Sequence, residues 1–382
     1  MICHELAAVP PITMGAGATA VLSDILAKHL QGGAILLAAD PGLAATGMIE
    51  TIANQLRSAG LDVVMFSDFA ADPSVTEVDA ARATARSERC SLVIGLGGGS
   101  ALDLAKATAG LAGTEEPTEA FALSATSMPA DTALPFITVP TTSGTGAEMT
   151  RTSVLTLTSG AKAWFWDPAM RSAHVVLDPD LTLTLPPHLT AATGLDALVH
   201  ALEAATNQNA HAGNAVYAEA AIRMVMRHLE VAVRDGADQT ARAGMQHAAA
   251  LAGMAIDNGG TAVAHAIGHA LGSLGHVHHG RAVALALMAA LPFNIAGAPA
   301  RFQGVAEAMG LSTPEAIPET FDNLVRRVGL AVSLAEDCPS LTPELLAEHA
   351  VMPENVWMTQ SNARALSHDD LVGLCRTVLT QA

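Results

Sequence analysis

Hydrophobic patterning changes character once along the chain, and that change limits the folds open to it. Over the first 180 or so residues, short apolar runs recur: AILLAAD (34–40), LDVVMFSD (61–68), SLVIGLGGG (91–99), LPFITVPTT (134–142) and AHVVLDPD (173–180). Between them lie stretches such as MIETIANQLRSAG (48–60) and VTEVDAARATARSERC (75–90), with apolar residues at helical spacing. Uninterrupted apolar strands alternating with helices predict a mainly parallel sheet covered on both faces. After LTLTLPPHLT (181–190) the strand-like runs stop, and long Ala-rich helical sequence takes over. Pro186 and Pro187 punctuate the change. The expected architecture is an α/β, Rossmann-like dinucleotide-binding domain over residues 1–183 and an all-α domain over 184–382.

Composition narrows the partners. A formal net charge of −18 argues against nucleic acid or an anionic membrane. The chain is 50% hydrophobic but only 3% aromatic, so its cores must be built from Ala, Leu, Val, Ile and Met. Its four cysteines are widely spaced and form no CxxC pair, which fits a reducing, cytoplasmic setting better than a disulfide framework. The opening MICHELAAVPPIT lacks the basic and apolar regions of a secretory leader. The most apolar later run, AVALALMAALPFNIAGA, is expected to break at Pro292 and Asn294 and to be short for a membrane span.

Chemistry concentrates in two kinds of motif. HAIGHALGSLGHVHHG (265–280) holds five of the fifteen histidines. His265 and His269 stand four apart and share a helix face, whereas Gly272 and Gly275 are expected to break that helix toward His276, His278 and His279. In GLDALVHALEA (194–204), Asp196 and His200 are likewise four apart. One carboxylate and two or three imidazoles form an oxygen and nitrogen donor set for Fe(II), Zn(II), Mn(II) or Co(II), without the thiolates of structural zinc. No HExxH is present, so a zincin protease is excluded.

Two glycine-rich segments compete for a dinucleotide phosphate. GAGATA (15–20) fits G-x-G-x-x-A, with Asp40 following at a strand end. GLGGGSALDLAK (95–106) runs from an apolar strand through three glycines into a helix starting near Ser100, where backbone N–H groups and the helix dipole favour an anion. VPTTSGTGAEMT (139–150) adds a hydroxyl-rich loop after a strand.

In this order, GGGSALDLAK, VPTTSGTGAEMT, LTLTLPPHLTAATGLDALVHALEA and AHAIGHALGSLGHVHHG make a chain that resembles the iron-containing (group III) alcohol dehydrogenases over essentially its whole length. The resemblance implies a Rossmann-like domain and a helical domain with the active site in the cleft between them. It implies NAD(H) as cofactor, held by Gly97, Gly98, Gly99 and Ser100 at the pyrophosphate, with Asp103 at the start of the next helix. Asp40 would lie near the adenine ribose, with Thr141, Thr142, Thr145 and Lys162 also at the cofactor, which leaves GAGATA as a decoy. It implies Asp196, His200, His265 and His279 as ligands to Fe(II), with Zn(II) or Mn(II) as alternatives, and His269 as an unligated, proton-handling catalytic residue. The implied reaction interconverts a small primary alcohol and its aldehyde, in a homodimer. The related non-redox alternative is a lyase similar to dehydroquinate synthase. Two departures are visible: where the family usually reads H-V-P-H-G, His278 replaces the proline, and AKAWFWDPAMRSAH carries Trp164 and Trp166 where smaller apolar residues are usual.

Overall fold

The computed structural model describes residues 4–381, and its chain divides into two units. One comprises Ala8–Thr142 and Ala147–Thr184; the other comprises residues 4–7, Ser143–Gly146 and everything from Leu185 onward. The main division thus falls at 184/185, beside Pro186. The excursion at 143–146 has a packing cause: a Cβ on Gly146 would lie 2.6 Å from the Gly253 Cα, so two glycine backbones touch there.

The α/β unit runs β1 (Ile12–Met14), α1 (Leu22–Leu26), β2 (Ala34–Ala39), α2 (Met48–Ser58), β3 (Val63–Phe66), α3 (Val75–Ser87), β4 (Cys90–Gly97), α4 (Gly99–Gly110), β5 (Phe136–Pro140), β6 (Thr152–Thr156), β7 (Lys162–Trp166) and β8 (His174–Leu177). Six strands pair, all parallel, in the order β1-β8-β5-β4-β2-β3. Alternate residues of each strand face opposite sides. Ile35, Leu37, Ile94, Leu96 and Val139 pack with α1 and α2. Leu36, Ala38, Val93 and Phe136 pack with α3, α4 and the β6–β7 ribbon. This two-sided burial explains the unbroken apolar runs, since each fully buried Leu or Ile contributes about 1.5–3 kcal/mol. β1 and the antiparallel β6–β7 ribbon are additions to the expected strands.

β2 and β4 are neighbours, yet the chain after β2 enters α2 on one face and the chain after β4 enters α4 on the other. Adjacent strands whose continuations part in this way open a crevice at their carboxyl ends, the general ligand position in doubly wound sheets.

The helical unit is built from α5 (Pro187–Thr206), α6 (Ala212–Arg234), α7 (Gln239–Gly259), α8 (Val263–Gly275), α9 (His279–Gly297), α10 (Gln303–Ala308), α11 (Ile317–Arg327), α12 (Pro343–Ala350), α13 (Val356–Gln360) and α14 (His368–Thr380). α5 opens with Pro187 at its first position, where a missing N–H costs no hydrogen bond. The core draws on small side chains such as Ala197, Ala201, Ala248, Ala252, Ala266 and Ala286, which let helices approach closely.

Two sequence expectations need correction. α8 continues through Gly272 and ends only after Gly275, with His276 in the left-handed conformation at φ 52°. α9 runs through Pro292 and Asn294 unbroken. Buried Ala289, Ala290, Leu291 and Ile295 on either side hold the turn that proline weakens, and Asn294 exchanges amide hydrogen bonds with Asn362 at 3.1 and 2.7 Å. α9 is therefore long and apolar enough to cross a membrane, but 67% of its most apolar window is buried inside the helical unit.

Candidate metal centre and dinucleotide loop

α5 carries Asp196 and His200 one turn apart on its buried face, α8 contributes His265 from its first turn, and α9 begins at His279. One potential ligand atom from each lies within 4.8 Å of the other three. Asp196 Oδ1 stands 3.9 Å from His200 Nδ1, 3.8 Å from His265 Nε2 and 3.5 Å from His279 Nε2. Donors roughly 2.1 Å from one tetrahedral ion would be about 3.4 Å apart, and the three distances from Asp196 Oδ1 lie close to that spacing. Asp196 Oδ1, His200 Nδ1 and His265 Nε2 are buried with no hydrogen-bond partner. Buried polar atoms without partners are costly, and three converging on one point fit a cation. The donors are one carboxylate oxygen and three imidazole nitrogens, a set suited to Fe(II), Zn(II), Mn(II) or Co(II).

Electrostatics keep Asp196 and His200 in ligand form. Burial opposes ionisation of Asp196, but His200, His279 and His265 outweigh it and hold the carboxyl well below the usual carboxylate range. Burial pushes His200 down to about 3 against the pull of Asp196, leaving a neutral ring with a lone pair to donate. The His200 ring also hydrogen-bonds the backbone of Gly144, which joins the 143–146 excursion to this centre. His278 sits at the N-cap of α9 with φ −53°, a value that proline would also adopt, so the departure from H-V-P-H-G leaves the local backbone in proline-like geometry.

Two residues that sequence reasoning passed over complete the surroundings. Glu203, on the same face of α5, places Oε2 2.6 Å from His265 Nδ1. Asn355 Oδ1 lies 3.2 Å from His269 Nδ1, while its amide nitrogen donates to the His349 carbonyl at 3.0 Å. Because that carbonyl only accepts, the Asn355 orientation is settled and His269 Nδ1 must be the donor. His269 stands outside the four-atom cluster, its ring centre 5.4 Å from that of His279.

In the α/β unit, Asp40, Gly97 and Thr141 meet at the crevice between β2, β4 and β5. The Asp40 amide donates to the Leu96 carbonyl at 2.9 Å, and the Thr141 amide donates to the Gly97 carbonyl at 2.9 Å. Gly97 has φ +149°, and a Cβ there would lie 2.6 Å from Asp40 Cβ and 2.7 Å from Ala101 Cβ. Gly98 abuts the Thr142 side chain and is the N-cap of α4, which has no side-chain cap. The first-turn N–H groups of α4, including those of Gly99 and Ser100, therefore begin a 12-residue helix beside the crevice with the polarity that favours an anion. Asp40 Oδ1 accepts from the Gly42 amide at 2.9 Å.

Other expected cofactor residues are placed differently. Asp103 faces away from the loop: Oδ2 accepts from the Val154 amide of β6 at 3.0 Å, and Oδ1 pairs with Lys106 Nζ at 3.0 Å. The spacing concealed this because Asp103 lies one turn past the helix start, on the side packed against the ribbon. Lys162 pairs with Asp72 at 2.8 Å, and the Asp72 amide donates to Ser100 Oγ at 3.2 Å, so Lys162 is one residue removed from the glycine loop. Thr141 and Thr142 belong to the α/β unit, but Thr145 belongs to the helical one. In GAGATA, Asp178 accepts from the amides of Gly17 (3.0 Å) and Thr19 (2.9 Å) and from the Thr19 hydroxyl (2.7 Å). A carboxylate already occupies the donors that a phosphate would need.

Comparison with known proteins agrees across both units. The family profile "Iron-containing alcohol dehydrogenase" matches residues 10–179, and "Fe-containing alcohol dehydrogenase family, C-terminal" matches residues 190–379. The chain is 36% identical over 339 residues to long-chain-alcohol dehydrogenase 1 of Geobacillus thermodenitrificans, covering 86% of each protein. It is 37% identical over 290 residues to 1,3-propanediol dehydrogenase of Citrobacter freundii, covering 75% of this chain and 74% of that one. Among solved structures, sulfoacetaldehyde reductase from Bifidobacterium kashiwanohense in complex with NAD+ superposes with a TM-score of 0.91, at 28% identity and 100% coverage of both chains.

Proposed function

Because the chain belongs to the iron-containing alcohol dehydrogenase family, and so is an oxidoreductase, we propose that it interconverts a small primary alcohol and its aldehyde, using NAD(H) and an Fe(II) ion. The observation that carries this reading is the convergence of unpartnered Asp196 Oδ1, His200 Nδ1 and His265 Nε2, with His279 Nε2 3.5 Å from the carboxylate. A four-donor set without thiolate suits an ion that accepts further ligands, which favours Fe(II) over a closed structural zinc; Zn(II) and Mn(II) are the alternatives. When bound, the ion supplies Lewis-acid polarisation of a substrate oxygen, and the nicotinamide takes or gives the hydride.

The chain's own residues provide the rest. Gly97 to Ser100 and the α4 N-terminus hold the pyrophosphate, and Thr141 and Thr142 stand beside it. Asp40, at the end of β2, meets the adenine ribose and repels a 2′-phosphate, so NADH is preferred to NADPH. Asn355 accepts the Nδ1 proton of His269, so Nε2 is the atom at which that ring gains and loses the reaction's proton. His279, with about a third of its side chain exposed, marks the open side of the otherwise buried ligand set. The relatives' names span a long-chain alcohol, 1,3-propanediol and sulfoacetaldehyde, so membership alone does not set the chain length or substituents of the substrate.

The test is an anaerobic screen of primary alcohols and aldehydes of increasing length on metal-stripped protein, with Fe(II), Zn(II) or Mn(II) added back. NADH oxidation with a short aldehyde, greatest with Fe(II) and weak with NADPH, is the expected result. Turnover that persists in excess chelator, or that runs better with NADPH, would overturn the assignment.

A further inference from the structure

Behind the four ligands stands Glu203, buried and three residues beyond His200 on α5. Three donors converge on its two oxygens. Oε2 lies 2.6 Å from His265 Nδ1 and accepts from the Ala262 amide at 2.8 Å, while Oε1 accepts from the Ala264 amide at 2.7 Å. Ala262 is the N-cap of α8 and offers no side-chain cap, so a carboxylate from α5 caps α8 in its place. Only an acceptor-only group satisfies all three donors. In a glutamine, the amide nitrogen would face one of them whichever way it turned.

Two consequences follow. With Oε2 accepting from its Nδ1, His265 is fixed as the Nδ1–H tautomer, which leaves the Nε2 lone pair directed toward Asp196 Oδ1, 3.8 Å away. Asp196 and Glu203 thus bring two buried carboxylates, from one helix, to the same group of imidazoles. We propose that Glu203 is a positioning residue of the metal centre: it ties the His265 ring and the first turn of α8 to the helix bearing Asp196 and His200. The proposal rests on the metal-site reading above.

The test compares full-length wild type, Glu203→Gln and Glu203→Asp. Chelator competition gives Co(II) and Zn(II) dissociation constants, the visible spectrum of the Co(II) form reports the ligand field, and thermal unfolding is followed on metal-free protein. Removing such a partner typically costs 10–100-fold in metal affinity, so E203Q is expected to bind that much more weakly and to show an altered Co(II) spectrum. E203D, which keeps the carboxylate acceptors, recovers part of the affinity. If E203Q does not fold, E203D carries the test, with weakened affinity and a shifted Co(II) spectrum expected from its shorter reach. A lower metal-free unfolding midpoint with wild-type metal affinity and spectrum would make Glu203 a helix cap only and overturn the proposal. A wild type that binds no divalent ion would overturn the metal-site reading along with it, whereas equal affinities in all three proteins would overturn the role of Glu203 alone.

Discussion

Gly97→Ala puts the dinucleotide crevice to a direct test. At φ +149° an L-residue carries strain, of order 1–2 kcal/mol for a conformation that only glycine adopts freely. The added methyl would stand 2.6 Å from Asp40 Cβ and 2.7 Å from Ala101 Cβ, about an ångström inside ordinary carbon contact. Overpacking of this kind costs about 1–3 kcal/mol, so the total is about 3 kcal/mol. For a unit of this size that corresponds to a fall of about 6–12 °C in its unfolding midpoint. The clash can be relieved only by moving Asp40 away from β4 or by lifting the start of α4, and both displace groups assigned to the cofactor. NADH affinity should therefore fall at least about tenfold, the equivalent of about 1.4 kcal/mol. Fluorescence titration with NADH, calorimetry and metal analysis of the same preparation separate the effects, because all four proposed metal ligands lie in the other unit and metal content should not change. A variant with wild-type NADH affinity and an unchanged midpoint would refute the assignment of this loop.

Three further outcomes are expected. His265→Ala should lose metal and activity together, whereas His269→Ala should keep its metal and lose about 10²–10⁴ in turnover, as for removal of a proton-transfer group; equal metal loss in both would sink the division of roles. Asn355→Leu should leave metal content intact and lower kcat by roughly 10–100-fold with little change in KM, because His269 loses the partner that fixes its Nδ1–H tautomer; an unchanged kcat would show that the contact is incidental. Burial pushes Glu148 up to about 7 from an ordinary 4.5. Below pH 4.5 it is protonated both folded and unfolded, and between 4.5 and 7 only the folded form keeps the proton, so its contribution to stability declines as pH rises. Glu148→Gln should therefore gain stability relative to wild type, by up to about 3 kcal/mol, between pH 4.5 and 8; urea midpoints that differ by the same amount at both ends would contradict this.

The apolar runs that announced β2, β3, β4, β5 and β8 were legible because strands buried on both faces leave little polar interruption. β1 was not, since three residues carry no period. The β6–β7 ribbon left a faint mark in the Thr-Ser-Gly turn of TLTSGAKAWFW, but its tryptophans drew attention as oddities instead of as strand formers. Spacing grouped Asp196 with His200 and His265 with His269, yet only three-dimensional packing separates His269 from the cluster. Glu203 and Asn355 were invisible for a related reason: their partners lie 62 and 86 residues away, and a glutamate in an Ala-rich helix reads as solvated surface. The expected break at Pro292 failed because local propensity was overridden by burial on both sides.

The excursion of Ser143–Gly146 has a meaning for the order in which the molecule is made. During synthesis the sheet strands through β8 emerge before α5, yet the niche for Gly146 against Gly253 arrives more than a hundred residues later. The nascent α/β unit must therefore hold a short span of chain in reserve. That span completes its contacts only when α7 has left the ribosome, and a fragment ending at residue 184 would carry it without a home. Because Gly144 also hydrogen-bonds His200, the surroundings of the candidate metal centre are assembled partly from a strip of chain translated before Asp196, His200, His265 or His279.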